Sequence, residues 1–242
     1  PSVRPMCQFI SPTQQVASLM TAEPFDSIAA VDQAIRERHT VKVLAAGPRR
    51  SPWPEQELRR CDAAVSAAIS AAGWAPFHYP ASESGAIEPW RVRLLRQPSA
   101  TSLAERLLEP SEFRQRVGKI PALLRGCGSV ALVTWLPEPE TSDPEKRKKV
   151  DQEHLLAVGG FVQSLLIALQ ARRLGSYWSS GGVTDSLEVR QMLGIGATER
   201  LAAAVFIDYG LSSPEEAIER VAGKLRGKRS ASQAWSSIVP LE

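Results

Sequence analysis

The chain has 242 residues, of which 43% are hydrophobic, so it is long enough to bury one sizeable core. Its 29 basic and 26 acidic side chains are interleaved and leave a net charge of +3, which argues against a nucleic-acid-binding surface. Three widely spaced cysteines without a CxxC pattern argue against a disulfide framework and a zinc site. The first ten residues lack a signal pattern and the longest apolar run, 155–169, contains polar side chains, so we predict a cytoplasmic protein outside the membrane.

The first half of the chain alternates between helical and extended patterns. Apolar side chains at helical spacing predict one helix over residues 28–37 and an alanine-rich one over 56–74, separated by a breaker-rich connector at 46–54. Polar and apolar side chains alternate over 90–95, which predicts a half-buried strand, and the apolar run 129–136 predicts a second strand.

The second half begins with a polar, proline-bearing connector at 136–154, whose charged run 145–149 we interpret as a solvated face. Residues 155–175 form a helix that is apolar nearly all round, so it belongs either in the core or in a subunit interface. A short helix is predicted over 185–194, capped by Asp185 and closed by Gly194, and a third strand over 201–210.

The segment "RERHTVK" concentrates positive charge at the end of the first predicted helix. The helix dipole gains only about 0.3–1 kcal/mol from nearby cations, which accounts for one or two of these side chains. Arg38, Thr40 and Lys42 occupy alternate positions, so an extended backbone would point all three the same way. Such a set of donors could bind a phosphomonoester, and a second basic cluster at 223–239 could bind the same group from another side. The alternative is an exposed helix end with solvated charges.

Four stretches in order resemble one family, the flavin-dependent nitroreductases. "RHTVK" (38–42) is similar to the family's Arg-Arg-Ser-Val-Arg-like stretch, and "SGAIEPW" (84–90) resembles its Ser-Gly-Ala-Asn-x-Glu-Pro-Trp loop. Residues 161–178 resemble its central helix and the following turn, and "KRSASQAW" (228–235) its closing Lys-Arg-x-Pro-Leu segment. The resemblance extends over about residues 28–239, which predicts an N-terminal extension at 1–27 and an FMN-binding domain at 28–242.

The resemblance implies an α+β fold with a central mixed, mostly antiparallel sheet flanked by helices, assembled as an intertwined homodimer with FMN at the interface. The implied phosphate and ribityl ligands are all residues of the first motif except Val41, together with Arg229. The implied contacts to the flavin ring come from Ser84, reaching from the partner subunit, and from the turn after the central helix. The predicted set is therefore Arg38, His39, Thr40, Lys42, Ser84, Ser180, Gly181 and Arg229.

The motifs also depart from the family pattern. His39, Thr40 and Lys42 replace an arginine, a serine and an arginine, so each keeps a donor but changes the geometry. The 84–90 loop lacks the asparagine and is one residue shorter, which favours altered substrate handling. The closing segment lacks its proline, which leaves the second phosphate ligand open among Arg226, Lys228 and Arg229, of which we chose Arg229.

The function implied by the resemblance is ping-pong reduction of nitro, quinone-like or related small acceptors, with NAD(P)H as donor and flavin N5 as the relay. We expect no catalytic side chain and no metal, with His78 as a candidate proton donor. One alternative is a specialised member of the same fold: a reductive dehalogenase, a flavin-cleaving enzyme or a reductase of a biosynthetic intermediate. A second is a non-enzymatic, flavin-free dimer.

Overall fold

The computed structural model describes residues 25–47, 53–81, 85–109, 117–211 and 217–239, which form an α+β fold. The described helices are α1 (Phe25–Glu37), α2 (Glu55–Ala72), α3 (Ser99–Leu108), α4 (Ile120–Gly126), α5 (Pro144–Ala171) and α6 (Leu187–Met192). The strands are β1 (Val41–Ala45), β2 (Trp90–Arg96), β3 (Ser129–Trp135), β4 (Gly175–Ser179), β5 (Arg200–Asp208) and β6 (Ile218–Ala222). Two compact units divide the chain, Pro1–Arg36 and Glu37–Glu242, and the described part of the first is helical.

Four strands form the central sheet in the order β2-β3-β5-β4, and every neighbouring pair is antiparallel. A separate antiparallel ribbon joins β1 to β6, pairing Val41 with Ala222 and Ala45 with Ile218. Thr40, just before β1, forms an isolated parallel bridge with Ser176 of β4. The predicted α+β class with a mostly antiparallel sheet is confirmed.

Helices cover both faces of the sheet because alternate residues of β3 and β5 point to opposite sides. Val133, Val205 and their alternate neighbours pack with α2 and α5 in one buried cluster. Leu132, Phe206 and their alternate neighbours pack with α3 and α4 in a second cluster. The sheet therefore lies between two hydrophobic layers, as expected when its central strands present apolar side chains to both faces.

The predicted boundary of the long helix is wrong at its N-terminal end. Helix α5 begins at Pro144, inside the stretch we had read as a connector, because the Asp143 carboxylate accepts hydrogen bonds from the N–H groups of Glu145 and Lys146. Aspartate at the N-cap followed by proline is a strong helix start. The charged run 145–149 is therefore the solvated first part of α5.

Helix α6 also starts differently from the prediction. Its cap is Ser186, whose hydroxyl accepts from the Val189 N–H at 3.4 Å, while Asp185 belongs to a preceding 3₁₀ turn. The predicted closing residue is consistent with the structure, since Gly194 adopts φ +62° directly after the helix. The predicted cap Asp185 and the observed cap Ser186 are neighbours in the chain, and aspartate and serine are both favourable N-cap residues.

The long apolar helix α5 is mainly a core helix. By length and composition it could cross a membrane, but nine of its side chains, Phe161 and Leu165 among them, are buried within the fold. Leu155 and Leu156 are instead 50% and 64% exposed. The helix therefore combines a buried face with an exposed apolar one.

Candidate functional site

The two basic clusters of the sequence meet at one cavity of about 540 Å³, within the size range of small-molecule sites. We call it the cationic cavity. Its lining comes from the start of β1, from β4, from the end of β6 and from the segment that follows β6. The lining residues are Arg38, His39, Thr40, Lys42, Tyr177, Val221, Ala222, Gly223, Lys224, Leu225, Arg226 and Arg229.

The β1–β6 ribbon brings the clusters together. Lys42 pairs with Val221 in the ribbon, and the Gly223 N–H donates to the Thr40 carbonyl at 2.9 Å. A Cβ at position 223 would lie 2.8 Å from the Thr40 Cβ, so glycine permits this approach. Arg38, Thr40 and Lys42 thus line one cavity, as their alternate spacing predicted.

Several cationic side chains lie together at the cavity. Burial lowers the pKa of the Arg38 guanidinium, and the neighbouring charges of Arg229 and Arg226 lower it further. Among the described ion pairs, none involves Arg38, Lys42 or Arg229. Cations held together without a carboxylate partner favour a bound anion, since the anion would relieve their repulsion.

The structure separates the three candidates for a second phosphate ligand. Arg226 Nη1 donates to the carbonyl oxygens of Glu37 and Arg38, both at 2.9 Å, so this side chain anchors the backbone that carries Arg38. Arg229 also lines the cavity, whereas Lys228 is not part of the lining. This arrangement favours the predicted Arg229 as the anion ligand and gives Arg226 a supporting role.

The turn after β4 contains the other predicted contact residues. Ser180 is exposed, and Gly181 is buried with φ +100°; a Cβ there would lie 2.3 Å from Leu201 Cδ2. The Gly181 N–H, which we expected to face the cofactor, donates to Ser179 Oγ at 3.2 Å. Neither residue lines the cationic cavity, which reaches β4 at Tyr177.

The loop at 75–81 contains the candidate proton donor His78, whose side chain is exposed and does not line the cavity. His154 on α5 is only 1% exposed. Its Nδ1 lies 2.9 Å from the Leu136 carbonyl oxygen and its Nε2 3.1 Å from that of Tyr79. His154 therefore ties the 75–81 loop to the end of β3. The predicted contact Ser84 falls outside the described residues.

Sequence reasoning missed Tyr177 and Lys224, both of which line the cavity. Lys224 belongs to the basic cluster at 223–239 and could have been chosen by charge alone. Tyr177 carried no comparable signal, because a strand not predicted from the sequence positions it.

The sequence profile of the nitroreductase family matches residues 35–209, which is most of the chain. The chain belongs to the nitroreductase family. The match starts just before the Arg38 motif and ends one residue after β5, so it includes the whole central sheet. Family membership supports the class of flavin oxidoreductase that the sequence motifs predicted.

Solved structures agree with the nitroreductase fold. A nitroreductase-like family protein from Bacillus cereus is 20% identical with a TM-score of 0.53, covering 83% of this chain and 95% of its own. Nitroreductase CinD from Lactococcus lactis, in complex with nicotinic acid, is 10% identical with a TM-score of 0.55, covering 86% and 99%. At these identities the similarity establishes the shared fold.

Proposed function

We propose that this protein is an FMN-dependent oxidoreductase that uses NAD(P)H to reduce small organic acceptors. The observation that carries the proposal is the cationic cavity, where Arg38, Lys42 and Arg229 converge without a described carboxylate partner. A phosphomonoester fits this donor set, because guanidinium groups bind phosphate oxygens in pairs and a hydroxyl adds a further donor. Membership of the nitroreductase family supports FMN over other phosphorylated ligands.

Different residues of the cavity would bind different parts of FMN. Arg38 and Arg229 would hold the phosphate, with Thr40 and His39 donating to the phosphate or the ribityl chain. Bound FMN would accept a hydride from the nicotinamide and pass it to the acceptor. Ser180 and Gly181, in the turn after β4, stay proposed contacts to the flavin ring, although neither residue lines the cationic cavity.

The protein contributes position and electrostatics to this chemistry. The imidazole ring of His78 is exposed in the 75–81 loop, and His78 stays our candidate for protonating the reduced acceptor. The physiological acceptor belongs to the small organic molecules that stack on a flavin, among them nitro compounds and quinones. A cytoplasmic location also stays a prediction.

The visible absorbance spectrum of the purified protein tests the proposal. We expect oxidised flavin bands, and FMN on release by denaturation. A colourless protein that also gains no flavin absorbance with added FMN would contradict the proposal and favour a flavin-free dimer whose basic clusters bind another anion or serve structure.

A second candidate function keeps the flavin but changes the reaction to dehalogenation, flavin cleavage or reduction of a biosynthetic intermediate. The 84–90 loop favours it, because the asparagine of the family motif is absent and an amide that could bind flavin or substrate is lost. Steady-state turnover separates the two. NAD(P)H oxidation with a nitroaromatic supports the first, whereas a flavin-loaded protein that ignores nitroaromatics and deiodinates a halotyrosine supports the second.

We further propose that the protein is a homodimer built on the exposed face of α5. Leu155 and Leu156 are exposed there, and a Cβ at Gly159 or Gly160 would have nothing within 4 Å. The two glycines would let a second helix pack at close range. The leucines beside them on the same helix face would then be buried from water in the interface.

Replacing Leu156 with glutamate is expected to convert the dimer into monomers. The side chain is 64% exposed in the single chain, so the substitution removes little core packing and places a charge in the proposed interface. Sedimentation velocity measures the change. Leu187→Glu is the matched control, because Leu187 is also 64% exposed but lies on α6. A Leu156→Glu protein that still sediments as a dimer would rule out this face.

A further inference from the structure

Lys42 in the cationic cavity lies over an aromatic ring. Its Nζ is 4.7 Å from the centroid of the Tyr177 ring, well within the range of a cation–π interaction. Both side chains line the cavity, although they come from different strands, β1 and β4. The contact therefore joins the β1–β6 ribbon to the central sheet at the proposed cofactor site.

The Tyr177 ring is held in place from behind. It stacks on Phe206 with centroids 6.0 Å apart and the planes inclined by 20°, and the two residues face each other in the β4–β5 register. Phe206 is only 2% exposed and belongs to the hydrophobic layer on that face of the sheet. A ring packed on such a base is a fixed surface for the ammonium group.

Lysine needs such a surface more than arginine would. The lysine ammonium is a compact charge on a flexible four-carbon stem, whereas the planar guanidinium of arginine presents its hydrogen-bond donors in a rigid geometry. A carboxylate could also hold Lys42 but would neutralise it, whereas the ring face attracts the ammonium and leaves its full charge available to an anion.

We propose that Tyr177 is a positioning residue that holds the Lys42 ammonium in the cavity so that it can bind the polar groups of the cofactor. The proposal rests on the proposed function, since it takes FMN as the ligand. The ring face performs this role. The Tyr177 hydroxyl is not required.

A double-mutant cycle on the apoprotein tests this proposal, with the FMN dissociation constant measured from the quenching of FMN fluorescence. Lys42→Met should weaken FMN binding about 10-fold or more, as for a lost hydrogen bond to a charged group. Tyr177→Leu should weaken it about 2- to 5-fold through the lost cation–π contact, and Tyr177→Phe should match the wild type. In the Lys42→Met background, Tyr177→Leu should have no further effect.

Two outcomes would overturn the positioning role: an equal effect of Tyr177→Leu in both backgrounds, or a Tyr177→Phe protein that binds FMN as weakly as Tyr177→Leu. Wild-type apoprotein that ignores FMN would instead refute the proposed function. If Tyr177→Leu does not fold, fluorinated phenylalanines at position 177 replace it, because they withdraw electron density from the ring with little change of shape. FMN affinity should fall stepwise with fluorination, and an unchanged affinity would overturn the proposal.

Discussion

Replacing Arg38 with glutamate is expected to weaken FMN binding by at least about 100-fold. A hydrogen bond to a charged group contributes about 1.5–3 kcal/mol, so its loss alone lowers affinity by about 10- to 150-fold. The reversed charge then repels the phosphate. Arg38 is the right target because it lies among other cations in the cavity and no described ion pair neutralises it.

Apoprotein stability separates a lost ligand contact from a damaged fold. Burial and the charges of Arg229 and Arg226 lower the pKa of Arg38, which means that its positive charge is disfavoured in the folded apoprotein. Burial would disfavour a glutamate as well, but Arg38→Glu replaces the repulsion from Arg229 and Arg226 by attraction, so it should leave the urea midpoint of the apoprotein unchanged or raise it. Lys148→Glu, an exposed change of equal charge at the start of α5, is the control and should keep full FMN content. Unchanged FMN content in Arg38→Glu would refute the phosphate role of the cavity.

Replacing Gly126 with alanine is expected to give a large loss of stability. The added Cβ would lie 2.6 Å from Val43 O, 2.9 Å from Val43 C and 3.2 Å from Ala45 N. These are backbone atoms of β1, so no side-chain rotation relieves the contact and the strand itself must shift. Overpacking of this kind costs about 1–3 kcal/mol, and we expect a value near the upper end.

The same substitution should also weaken FMN binding, because Val43 is adjacent to Lys42 on the displaced strand. Urea unfolding and an FMN titration measure the two effects. Gly47→Ala is the matched control, since a Cβ at Gly47 would have nothing within 4 Å, and it should leave stability near the wild-type value. Wild-type stability of Gly126→Ala would show that β1 does not pack against α4 as described.

Local patterns carried most of the information on the predicted elements. The alternation over 90–95 became β2, a partly buried edge strand, and the continuous apolar run 129–136 became β3, which lies between the two hydrophobic layers. The start of α5 was missed because a charged run conceals a helix from a search for apolar spacing, even though Asp143 and Pro144 were visible as a cap. Strand β4 was missed because its five residues carry no clear period.

The motifs that resemble the nitroreductase family were sufficient to predict the family and, through it, the α+β class. The residue types and alternate spacing of Arg38, Thr40 and Lys42 predict an anion site there. The distant residues that complete the cavity became known only from the folded chain. The β1–β6 ribbon brings position 223 to Thr40, and β4 brings Tyr177 to Lys42. The physical reason is that strand pairing joins segments far apart in the chain, and its register, which no local pattern encodes, selects the side chains that meet.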